Sequence, residues 1–145
     1  MPIIDREGYQ IAAGVGYHEL ILFRDHDKFF PDFSDDEMMG VVQSYRDRYR
    51  QIAAEDDCAH YIMIFHNYGR EAGASVYHPH TQVISLPILP PDVTRSLRGS
   101  AEYHRVHGRE AHEVMIAHEL ADGKRIVYEN EKFVAFCPYV SKQPY

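Results

Sequence analysis

The chain has 145 residues, 45 % of them apolar, which suits one domain spanning residues 1–145 with a core of its own. A net charge of −7 excludes a nucleic-acid or anionic-membrane surface, which needs clustered Lys and Arg, yet leaves room for a small phosphorylated ligand. No apolar run approaches the ~20 residues of a membrane-spanning helix, and Cys58 and Cys137, far apart in sequence, read as buried, reduced thiols of a cytoplasmic protein.

Residues 1–14 carry no clear pattern and read as an arm. Residues 17–23 alternate as a strand, with His18, Leu20 and Leu22 on one face. A polar loop with aromatics follows. Ser34 and Glu37 have the spacing of a capping box. Behind them Met38, Val41, Val42, Tyr45, Tyr49 and Ile52 recur at helical intervals, which predicts a helix over 35–54 with one apolar stripe. Acidic Asp35, Asp36 and Glu37 at its start, and Arg46, Arg48 and Arg50 towards its end, suit the macrodipole. Residues 60–65 are β-branched and aromatic, a strand expected to be covered on both faces. A strand from His78 to Leu86 comes next and stops at Pro87, Pro90 and Pro91. Residues 92–107 read as an exposed helix and 111–120 as a shorter one. Two strands, 126–128 and 133–136, meet at a turn around Asn130. The sum is α+β: an antiparallel sheet with one long amphipathic helix packed on it.

Chemistry concentrates between Asn67 and Gln82. Residues 67–75 are glycines and small residues, where backbone N–H groups can come close to an anion. His78, Pro79 and His80 then enter the strand. In an extended chain His78, His80 and Gln82 project to one side, so two imidazoles and an amide face whatever the loop holds. Neutral imidazole is a good nucleophile towards phosphorus near pH 7. Pro79 fixes φ and lacks an N–H, which keeps the two histidines extended.

Phe65-x-Asn67-x-Gly69, Ala72-Gly73-Ala74-Ser75 and His78-Pro79-His80-x-Gln82 together resemble the galactose-1-phosphate uridylyltransferase family, of the histidine-triad superfamily. Gly16-Tyr17-His18-Glu19 with His26, and Leu120-Ala121-Asp122-Gly123-x-Arg125 with Pro138-Tyr139 and Pro144, are similar to the flanking family segments. The resemblance covers most of the chain but only the middle of a full-length member, as if truncated at both ends. It implies a histidine-triad-like fold. It also implies an enzyme that moves UMP from UDP-glucose to galactose 1-phosphate, or a related hexose 1-phosphate, through a covalent nucleotidyl-His80. His80 matches the nucleophile and Gln82 the phosphate-binding glutamine. Asn67 and Ser75 match residues contacting the nucleotide phosphates, with Gly73, Ala74 and His78 beside them. Histidine-triad hydrolases carry a third His near Gln82, so the glutamine favours transfer over hydrolysis. Two other readings stand beside this one. The first is a nucleoside-diphosphate-sugar or dinucleoside-polyphosphate phosphorylase; the second is a truncated nucleotide-binding domain without turnover. The implied partners are nucleotide-sugar and sugar-phosphate substrates and a second copy in a homodimer, with no nucleic acid and no membrane.

A solitary His is more often a surface or satisfied core residue than a catalyst. His18, His60, His66, His104, His107, His112 and His118 are read that way. Zinc is the one cofactor the resemblance raises. His26 and His78 stand where zinc-containing relatives place two imidazole ligands, but the Cys-x-x-Cys that should precede them is absent. Two imidazoles do not close a tetrahedral site.

Overall fold

A computed structural model describes residues 4–11 and 13–141. They fall into two compact units, Met1–Pro90 and Pro91–Tyr145.

The first unit opens with a hairpin, β1 (Ile4–Arg6) and β2 (Tyr9–Ile11), paired antiparallel. Its turn puts Glu7 at φ 51° and Gly8 at φ 85°. Both central residues have positive φ, as a two-residue hairpin turn requires. Glu is an unusual choice there, which is why residues 1–14 read only as an arm.

The organising sheet has the order β3-β5-β4: β3 (His18–Leu22), β5 (His80–Leu86) and β4 (Tyr61–His66), all antiparallel. β5 is the central strand, and its side chains alternate strictly. Thr81, Val83 and Ser85 are buried, while His80, Gln82, Ile84 and Leu86 are half-buried. Helix α1 (Asp35–Glu55) covers the Thr81 and Val83 face. There the Tyr45 hydroxyl is hydrogen-bonded to Thr81 Oγ1, and Ile52 and Val83 are fully buried. The opposite face carries Leu20 opposite Gln82 and Leu22 opposite His80, with both leucines more than half exposed. β4 is an edge strand whose residues are all half-buried with neither face exposed, so the expected cover on both faces is partial rather than complete.

The helix begins as its capping box predicts. Ser34 Oγ accepts from the Glu37 N–H, and Glu37 Oε2 accepts from the Ser34 N–H at 2.8 Å. Its inward face differs from the expected stripe. Met38, Val41, Tyr45, Arg48 and Ile52 turn inward at spacings of three and four, whereas Val42 and Tyr49 are exposed. Arg48 takes the place expected of Tyr49 because its guanidinium reaches Glu19 on β3, in a two-pronged ion pair beneath the sheet. That pairing holds the Glu19 carboxyl below its usual range.

Glu37 also takes an ion pair from Lys28 at 2.7 Å. Lys28 first, then the Ser34 backbone and hydroxyl, lower its carboxyl from 4.5 to about 2. A depressed carboxylate stabilises the fold fully above its unfolded value and loses that contribution as pH falls through its folded one. Acid unfolding followed by circular dichroism should therefore be steeper between pH 4.5 and 2 in the wild type than in Glu37→Gln. Identical acid profiles would contradict the coupling.

Gly16 joins the loop to β3 at φ 138°. A Cβ there would lie inside van der Waals contact with the Ser85 carbonyl oxygen. Nothing can yield easily, because Tyr17 N–H donates to Ser85 Oγ at 2.7 Å and Ser85 N–H donates to the Tyr17 carbonyl at 2.9 Å. Gly16→Ala should cost roughly 1–3 kcal/mol in thermal or urea unfolding. An unchanged midpoint would refute the close approach.

The second unit holds α2 (Pro91–His107), α3 (Ala111–Asp122) and a hairpin of β6 (Ile126–Glu129) and β7 (Val134–Phe136). The predicted turn forms: Asn130 Oδ1 accepts from the N–H groups of Lys132 and Phe133. The Asp122-Gly123-x-Arg125 segment has a structural job. Gly123 ends α3 at φ 70° with its N–H on the Glu119 carbonyl, which brings Arg125 Nε to 2.7 Å from the buried Glu119 carboxylate. Cys58 and Cys137 are free thiols as expected, but neither is buried: Cys58 is exposed and Cys137 half-buried. Among the described residues no helix is long and apolar enough to cross a membrane.

Candidate active site

The start of β5 sets two histidines in opposite chemical states. His80 Nδ1 lies 2.7 Å from the carbonyl oxygen of His78. A carbonyl only accepts, so Nδ1 carries the proton and Nε2 keeps a free lone pair. His78 is tied the other way: its Nε2 lies 2.6 Å from the Phe23 carbonyl and must donate to it. Pro79 sits between them, buried, and its carbonyl accepts the Phe23 N–H. His78 therefore anchors the strand entry to the end of β3, and His80 presents a nucleophilic nitrogen.

Gln82 follows one pleat on. Its Oε1 lies 3.0 Å from His18 Nε2. With the imidazole donating, the amide NH₂ is left for an acceptor such as a phosphoryl oxygen. His18, read as structural, thus belongs to the site's surroundings; its shared face with Leu20 and Leu22 was the signal that could have found it.

Behind the strand His66 was missed in the same way. Its ring is 18° from parallel with Phe23 at 5.6 Å and 4.4 Å from Phe30, and its Nδ1 is 3.3 Å from Thr81 Oγ1. Burial first, then the nearby His80, lower its pKa from the usual imidazole value, which favours the neutral ring. A charge there would oppose a cation developing on His80.

The loop between β4 and β5 borders a cavity of about 780 Å³. Asn67, Gly73, Ala74, Ser75 and His78 all line it, as do Arg70, Phe29, Tyr68 and Tyr77. His80 and Gln82 stand just past it on the open sheet face. Gly73 closes a tight turn at φ 83°. The loop's N–H groups are arranged differently from the expectation: Ala72 and Ala74 donate to the Gly69 carbonyl and Gly73 to that of Arg70. Those three amides hold the loop's own shape, so the polar groups it offers a ligand are the Asn67, Ser75 and Arg70 side chains and its remaining N–H groups.

His26 and His78 come together, with ring centroids 3.9 Å apart. Two imidazoles alone do not close a tetrahedral zinc site. His78 keeps Nδ1 available because only its Nε2 donates to the Phe23 carbonyl, but among the described residues no group of three or more His, Cys, Asp or Glu could hold a metal with it.

Comparison with known proteins matches residues 3–90 to the family described as galactose-1-phosphate uridyl transferase, N-terminal domain. The chain belongs to that family. A galactose-1-phosphate uridylyltransferase of Thermotoga maritima is 31 % identical over 133 residues, 90 % of this chain and 40 % of the relative. ADP-glucose phosphorylase of Arabidopsis thaliana is 29 % identical over 134 residues, 92 % of this chain and 36 % of the relative. Among solved structures, a uridylyltransferase superposes with a TM-score of 0.88 at 28 % identity, over 99 % of this chain and 45 % of that one. An Arabidopsis thaliana ADP-glucose phosphorylase with bound ADP-glucose gives 0.74 at 28 %, over 87 % and 39 %. The α+β, histidine-triad-like fold is thereby shown. The chain spans about two-fifths of the length of these relatives.

Proposed function

We propose that this member of the galactose-1-phosphate uridyl transferase family is a nucleotidyltransferase that moves UMP from UDP-glucose to galactose 1-phosphate or a related hexose 1-phosphate. The observation that carries the reading is the His80 tautomer, with Nδ1 bound to the His78 carbonyl and Nε2 left as the nucleophile. Nε2 attacks the α-phosphorus; an N–P bond forms, the bond to the bridging oxygen breaks, and glucose 1-phosphate leaves with that electron pair. A phosphate oxygen of the acceptor then attacks the same phosphorus, and His80 leaves with its Nδ1 proton in place. Neither step needs a strong acid or base, since leaving group and acceptor are phosphates with a second pKa near 6. The Gln82 amide, oriented by His18, donates to a non-bridging oxygen as charge builds there. The exposed Leu20 and Leu22, opposite Gln82 and His80, offer the nucleoside an apolar bed. Asn67 and Ser75 take the phosphates.

A second reading, phosphorolysis, is favoured by the similarity to ADP-glucose phosphorylase. Acceptor competition separates the two. With UDP-glucose as donor, the transferase reading expects UDP-galactose from galactose 1-phosphate and little UDP from inorganic phosphate. The opposite product ratio would overturn it in favour of the phosphorylase.

A further inference from the structure

A hydrogen-bonded chain runs behind His80, on the face of the sheet that α1 covers. The Tyr45 hydroxyl of α1 bonds to Thr81 Oγ1, and Thr81 Oγ1 lies 3.3 Å from His66 Nδ1 on β4. The His66 ring is also hydrogen-bonded to the backbone of His80. Thr81 is fully buried and follows His80 directly, its side chain on the opposite face. A hydroxyl can donate to one neighbour and accept from another, so Thr81 joins the helix to the edge strand. Partners 36 and 15 residues away in sequence thus meet on the residue next to the nucleophile.

The strand ladder gives out at the same place. His80 is the first residue of β5, and Pro79 before it has no N–H to offer. On the β3 side the pairing ends with Leu22 and His80. On the β4 side it ends with His66 and Thr81, one residue short of His80. The His66 side chain takes over there and bonds the His80 backbone itself. Packing alone does not call for an imidazole at this position. The ring lies against Phe23 and Phe30, at 5.6 and 4.4 Å between centroids, where a phenyl ring would fill the same space.

We propose that Tyr45, Thr81 and His66 are positioning residues that fix the backbone of His80 from behind, so that Nδ1 meets the His78 carbonyl and Nε2 faces the substrate phosphorus. This rests on the reading of His80 as the nucleophile of nucleotidyl transfer. A nucleophile held from one side only would lose alignment, and small misplacements of a reacting group are costly in rate. His66 also borders the loop cavity, so the buried Thr81 and half-buried Tyr45 are the cleaner positions to change.

The test reads His80 itself. In ¹⁵N-histidine-labelled wild type, the His80 ring should show one neutral tautomer, with the proton on Nδ1. Thr81→Val should give signals averaged over both tautomers, Tyr45→Phe a smaller change in the same direction, and Thr81→Ser, which keeps the hydroxyl, the wild-type spectrum. The rate of covalent labelling of His80 at saturating UDP-glucose should fall roughly 10–10²-fold in Thr81→Val and recover in Thr81→Ser, with the half-saturating UDP-glucose concentration unchanged. If Thr81→Val does not fold, Tyr45→Phe decides, because it removes one hydroxyl and keeps the ring. Wild-type His80 signals and labelling rate in every folded variant, with only the melting temperature lowered, would make the chain a support of stability alone and overturn the proposal. Damage in Thr81→Ser equal to that in Thr81→Val, a loss that falls on UDP-glucose binding, or mixed tautomers in the wild type would overturn it as well. Absence of label in the wild type sinks the transferase reading, while the tautomer spectra still judge the positioning.

Discussion

His80→Ala is expected to abolish nucleotidyl transfer from UDP-glucose, by roughly 10⁴-fold or more, since the group that carries the nucleotide between the two steps is gone. The fold should survive. His80 is half-buried on the sheet face it shares with exposed Leu22, and its side-chain hydrogen bond to the His78 carbonyl is a local link worth about 1 kcal/mol. His78→Ala should behave differently. It removes the tie to the Phe23 carbonyl, which fixes where β5 begins relative to β3, so local order and transfer rate decline together while covalent labelling of His80 persists. Transfer retained by His80→Ala, or labelling abolished by His78→Ala alone, would reverse the two roles.

Gln82→His should lower transfer roughly 10²–10³-fold, the usual effect of losing one aligned donor to developing charge. The substitution also brings a group titrating near neutrality to the place where the nucleotidyl-histidine meets water. The covalent intermediate of the variant should accordingly hydrolyse faster without acceptor. Gln82 is a neutral amide whose oxygen is held by His18, so it presents donors and no base. His18→Ala gives the intermediate case: the amide is still present but no longer oriented, and the rate should fall less than in Gln82→His. Equal lifetimes for wild-type and Gln82→His intermediates would show that the amide is not what protects the wild type.

The elements governed by local rules were legible in the chain. Ser34 and Glu37 placed the start of α1, the prolines after Leu86 placed the end of β5, and the period of two put His80 and Gln82 on one face. What escaped were features decided by partners distant in sequence. Arg48 turns inward where an apolar residue was expected because Glu19 waits on β3, and no helical period contains that information. The leucines of β3 face away from α1, the reverse of an ordinary amphipathic strand, which is legible only once that face is seen to carry His80 and Gln82. His18 and His66 looked like any solitary histidine; their partners, Gln82 and Thr81, lie 64 and 15 residues away. The loop's small residues line the cavity, but Gly73 and Ala74 use their N–H groups to hold the turn together. Composition cannot distinguish an amide that binds a ligand from one that shapes a loop.

One measurement bears directly on the central claim: incubate the protein with UDP-glucose radiolabelled in the α-phosphate, quench under denaturing conditions, and map the labelled peptide. The account predicts one acid-labile label per chain, on Nε2 of His80, chased off as UDP-galactose by galactose 1-phosphate. Label on His78 or any other residue, or no label under conditions where UDP-glucose is consumed, would contradict it.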